Sequence, residues 1–151
     1  MKAVFCDIPF GITHTLSVLE NAETIMNGEN VSDRERNIIT LSAILHDIGA
    51  VLAKEKYDSI EGRYQEMEGP GVAREILENH DCEPDVVDRV CYIVGNHHTP
   101  ERIDGLDFQI LWEADQLENL KHAVDLPEQL KDDIKNTFKT KTGYGLVRAM
   151  Q

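Results

Sequence analysis

The chain has 151 residues, 41% of them hydrophobic and 28% charged, the make-up of an ordinary globular protein and a length that predicts one domain over 1–151 with no need of disulfides. Lys plus Arg against Asp plus Glu gives 15 − 28 = −13, which excludes a fold-wide basic footprint for duplex nucleic acid and opposes docking on an anionic membrane surface. Cys6, Cys82 and Cys91 form no C-x-x-C pair, so they read as small buried residues of a protein kept in a reducing compartment, the cytoplasm.

In chain order, Asp7 ends any signal-peptide core. Leu16, Leu19, Ala22, Ile25 and Met26 recur at helical steps after His14, predicting an amphipathic helix that Asn27-Gly28 stops. Ser32-Asp33-Arg34-Glu35 is a capping-box sequence opening a second helix through Leu45, with a short continuation over 50–56. The apolar run 43–53 is broken by His46 and Asp47, so no bilayer span is expected. Residues 57–71 are polar and hold Gly62, Gly69, Pro70 and Gly71. They read as a long surface loop, with Pro70 near the start of a helix over 72–79. Pro84 introduces a helix over 85–96, where β-branched residues also permit a strand. Leu106–His122 is a strong helix, Pro127 opens another to Phe138, and 146–150 is a short last one. The expected class is all-α, a bundle of about six or seven helices.

Spacing selects the residues able to do chemistry. His46 and Asp47 end an otherwise apolar helix, where burying an imidazole and a carboxylate is costly unless something pairs with them. Neighbouring residues of a helix point about 100° apart, so both reach one centre only from a helix end or a crowded interior. Metal coordination is one such pairing; a backbone-bonded helix terminus is the plain alternative. Asp115 sits mid-helix among Leu111, Trp112 and Leu117, an odd place for a lone carboxylate. His14 and the pair His97-His98 stand at predicted helix ends, where polar residues are common without any ligand. His80 falls in a polar turn and His122 at a helix end, where a cation suits the dipole, both outside this pattern.

The order His14, His46-Asp47, His97-His98, Asp115 on successive helices, with Gly69-Pro70-Gly71 between, resembles the HD-domain superfamily of metal-dependent phosphohydrolases over about residues 10–120. Residues 125–151 would be its variable C-terminal part. The resemblance implies that His14, His46, Asp47 and Asp115 bind a divalent metal. A mixed imidazole and carboxylate set suits Mn, Fe, Co, Ni or Zn better than Ca. Members with two metals carry a histidine before the Gly-Pro segment. Here Glu68 stands in its place, so it is either a ligand of a second ion, with Asp47, His97 or His98, or a catalytic carboxylate beside Asp47. Arg63 and Lys56 are the expected phosphate-binding cations.

The implied reaction is hydrolysis of a phosphomonoester or phosphodiester of a small, nucleotide-like molecule by a metal-activated water. A di-iron oxygenase and a non-catalytic metal- or ligand-binding module are the alternatives. No glycine-rich phosphate loop is present, which argues against chemistry driven by a nucleoside triphosphate. The apolar face of the C-terminal helices can pack inside the domain or against a second copy of the chain, a homo-oligomer.

Overall fold

The computed structural model describes residues 9–150; Cys6 and Asp7 lie outside them. Among the described residues there are eight α-helices, one 3-10 turn and no strand. They are α1 (Pro9–Gly28), α2 (Asp33–Leu45), α3 (Ala50–Tyr57), α4 (Gly62–Asn79), α5 (Pro84–Val94), α6 (Leu106–Lys121), α7 (Glu128–Lys135) and α8 (Lys141–Arg148), with the 3-10 turn at Pro100–Arg102. The all-α class stands. Both short helices suggested near 50–56 and 146–150 form, the second beginning earlier than expected.

Helix α2 starts as its sequence dictates. The Ser32 hydroxyl accepts from the Glu35 amide at 3.1 Å, and the Glu35 carboxylate accepts from the Ser32 amide at 3.0 Å, so two orphan donors of the first turn are satisfied reciprocally. Helix α2 packs against α1, α5 and α6. One apolar cluster runs through this arrangement, from Val18 and Ile25 of α1 through Ile39, Val90 and Phe108 to Val147 of α8. Residues 33–57 would pass a length and apolarity test for a membrane span, with a mean hydropathy of 1.3 over the best window. They form two helices joined by a turn, and more than half of that window is buried inside the bundle.

The stretch 57–71 is where the structure departs from the sequence reading. Helix α4 begins at Gly62 and runs straight through Pro70. Its buried positions are Gln65, Gly69, Ala73 and Leu77, one residue every four, which is a helical stripe. Pro70 removes one internal hydrogen bond, but its ring packs where a Cβ on Gly95 would lie 2.9 Å from Pro70 Cγ. Tertiary packing therefore carries the helix through a residue that local propensity would place at its start. The expected 85–96 segment is helical as far as Val94, not extended: Val86, Val87, Val90, Ile93 and Val94 are all buried in the core.

Helix α6 is buried nearly all round, including Asp107, Gln109, Glu113, Asp115 and Glu118. Each of these polar groups has a partner, as burial requires. Asp107 accepts two bonds from Arg89. Glu113 accepts from the amides of Lys139 and Thr140, from the Thr140 hydroxyl and from Gln109, which anchors the segment leading into α8. Asp115 faces the opposite side, toward α1.

Candidate metal centre

Two helices end at the site in the same way. Past the last turn of α2, His46 Nδ1 donates to the Ala43 carbonyl at 2.8 Å. Past α5, His97 Nδ1 donates to the Val94 carbonyl at 2.7 Å. Each ring thus satisfies a carbonyl left without a partner by the helix end. Each neutral ring also keeps its proton on Nδ1 and turns the Nε2 lone pair inward, the second-sphere device that orients metal-ligating histidines. The negative ends of two helix dipoles converge with them, which favours a cation.

The convergence is tight. His14 Nε2, from the second turn of α1, lies 3.3 Å from His46 Nε2. Asp115 Oδ1 is 2.9 Å from His14 Nε2 and 3.5 Å from His46 Nε2. Asp47 Oδ2 is 3.4 Å from His14 Nε2 and 3.2 Å from His46 Nε2, while its other oxygen, Oδ1, is 3.2 Å from His97 Nε2. With Nδ1 protonated, a neutral His46 or His97 points a lone pair at carboxylate lone pairs. Only a proton or a metal ion between them makes that arrangement favourable, so the donor set fits a bound cation.

Without a metal, protons fill that role. The hydrogen bond from Asp115 raises the His14 pKa. Complete burial pushes His46 down, but Asp47 and Asp115 outweigh it and leave the ring well above its ordinary value. Burial would raise the Asp47 and Asp115 carboxyls; the facing histidines reverse this and hold both far below the usual carboxylate range. The side chains of His46 and Asp115 are 0% and 4% exposed, those of His14 and Asp47 23% and 19%, so of these four it is His14 and Asp47 that face solvent.

Asp47 belongs to two clusters. His14, His46 and Asp47 each offer a ligand atom within 4.8 Å of the others, and so do Asp47, His97 and His98. The His98 ring centroid lies 4.0 Å from that of His97. Lost hydration and the neighbouring His97 ring lower the His98 pKa, while its side chain remains exposed. Glu66 fixes this turn by accepting from the His98 amide and the Thr99 hydroxyl, both at 2.9 Å.

Glu68 is not brought into either cluster. Its two oxygens accept from Lys56 Nζ and Tyr57 Oη of α3, both at 2.9 Å. Lys56 is thereby ion-paired, and Arg63 pairs with Glu61 at 3.1 Å while lying over the Tyr64 ring. Tyr64 stacks on Tyr57 with centroids 4.3 Å apart, so these cations and aromatics form one patch across α3 and α4. His122 pairs with Glu118 near the end of α6 and His80 caps α4, both away from the two clusters.

Sequence reasoning missed the part played by α4. The spacing Gly62, Gln65, Gly69 was a usable helical signal, but it lay in a segment whose glycines and proline read as a loop. Gly49 shows how close the approach is: a Cβ there would lie 2.6 Å from the Gln65 carbonyl oxygen and the Gly69 amide.

The family model described as HD domain matches residues 11–133. No curated protein and no solved structure matches the chain.

Proposed function

Since the chain belongs to the HD-domain family, we propose that it is a metal-dependent phosphohydrolase acting on a phosphomonoester or phosphodiester of a small, nucleotide-like molecule. The observation that carries this reading is the Asp47 carboxylate, whose oxygens face two histidine clusters at once. His14, His46, Asp47 and Asp115 would hold one divalent ion of the Mn, Fe, Co, Ni or Zn class. Such an ion, when bound, supplies an acidified water and polarises a phosphoryl oxygen.

The chain's own groups do the rest. Asp47 helps orient the attacking water at the His14–Asp47 edge. Lys56 and Arg63 receive the phosphate, and Glu68 and Tyr57 position Lys56 for it. The charge of −13 keeps duplex nucleic acid and anionic membranes out of the list of partners. Free thiols at Cys82 and Cys91 suit the cytoplasm.

The test is metal analysis of protein purified without chelators, followed by hydrolysis of p-nitrophenyl phosphate and bis(p-nitrophenyl) phosphate with each metal added. One or two equivalents of a transition metal and turnover of either ester are expected. No uptake of any of the five metals overturns the reading. Bound iron with an oxidation-dependent absorption band and no ester cleavage would replace it with an oxygenase.

A further inference from the structure

We propose that Gln65 supplies the contribution of α4 to the second cluster, its amide oxygen acting as a ligand for an ion held with Asp47, His97 and His98; this rests on the metal-centre reading above. Helix α4 is wedged between the two turns that bear the site. On one side a Cβ on Gly49, two residues past Asp47, would strike the backbone of Gln65 and Gly69. On the other a Cβ on Gly62 would lie 2.7 Å from His98 Cγ, and Glu66 bonds the His98 amide. The face of α4 between those contacts is Gly62, Gln65, Glu66 and Gly69, at helical spacing. Two of these have no side chain, and Glu66 is occupied by the turn at 98–99.

Gln65 is left, and half of its amide is unexplained. The residue is 8% exposed. Its Nε2 donates to the Ile60 carbonyl at 2.6 Å, which fixes which end of the amide is which, and its Oε1 is buried with no hydrogen-bond partner. A buried acceptor left unpaired is disfavoured and is explained most simply by a bound water or ion. Two imidazoles and a carboxylate make only three donors. A neutral carbonyl oxygen added to them suits Mn²⁺. Glu68 does not compete for the role, since Lys56 and Tyr57 take both its oxygens.

Titration of metal-free protein with Mn²⁺ alone, read by calorimetry and by elemental analysis after desalting, tests this on wild type, Gln65→Ala, Gln65→Glu and Glu68→Ala. Two ions are expected to bind the wild type. Gln65→Ala should weaken the second by on the order of tenfold or more and leave the first unchanged. Gln65→Glu should tighten the second, an outcome a purely structural glutamine would not produce, because an unpaired buried carboxylate otherwise only destabilises. Glu68→Ala should leave both ions in place. A second ion that ignores Gln65 but is lost in Glu68→Ala, or a wild type that binds a single ion, overturns this assignment and leaves the phosphohydrolase reading standing. A wild type that binds none removes both.

Discussion

Asp47 is the residue on which the centre turns, because it is the one side chain common to both clusters. Asp47→Ala is expected to cost more metal affinity than the roughly 10–100-fold typical of outer-sphere changes, and elemental analysis of the purified variant checks it. Acidity gives a second expectation. His14 and His46 have raised pKa values in the metal-free fold. Their contribution to stability is therefore fully present below about pH 6.5, the unfolded value, and is lost as pH rises through the folded values. An ion must displace those protons. Metal affinity should fall as pH drops below the raised histidine values, and the thermal shift produced by Mn²⁺ should grow between pH 6 and pH 8. A shift independent of pH would mean that the histidines are not ligands. His46, Asp47 and Asp115 stood out in the sequence as groups costly to bury in apolar helical runs, and the family resemblance joined them into one candidate site. Gln65 did not, because nothing in a glutamine reveals that one of its atoms will lack a partner.

Among the elements, α4 was the hardest to read and matters most for where the site residues lie. Its glycines and Pro70 are turn-formers by local propensity, and only the packing of α5 and the 46–49 turn against them makes a helix of the segment. Gly49→Ala tests that packing. The new methyl would meet backbone atoms at 2.6 Å, which cannot yield as a side chain does, so a loss of about 1–3 kcal/mol is expected, measured by urea denaturation. Gly71→Ala, with open space around its Cβ, should not destabilise and serves as control. The C-terminal segment is held differently. Glu113→Ala would leave several buried donors of residues 109–140 without their acceptor, for an expected loss of about 3 kcal/mol or more. In the sequence Asp115 alone stood out in α6; the buried Glu113 and its partner segment were not legible, since the contacts join residues 26 and 27 positions apart.

For the whole molecule, the proposed ligands come from α1, the end of α2, the end of α5 and the middle of α6, so an ion they held would bind only the assembled bundle. At a hundred times its dissociation constant such a ligand stabilises by about 2.7 kcal/mol. For a chain of this size that is a rise in melting temperature of roughly 5–10 °C, readable by calorimetry with and without Mn²⁺. The all-helical class was plain from the 3.6-residue period. The meeting of residues 101 positions apart, His14 and Asp115, was expected only through the family resemblance, because sequence periodicity says which face of a helix is buried but not what it is buried against.

The uneven exposure of the ligands also sets the kinetics of exchange. His46 and Asp115 are sealed, and His14 is the most open of the four. Local opening of α1 at His14 would release one of the proposed ligands while the other three stay in place. The residence time of the ion should then track the opening of α1 rather than global unfolding. Stripping by a chelator should be fast, first-order and independent of chelator concentration once opening is limiting, and a stabilised first turn of α1 should slow it without changing the unfolding rate.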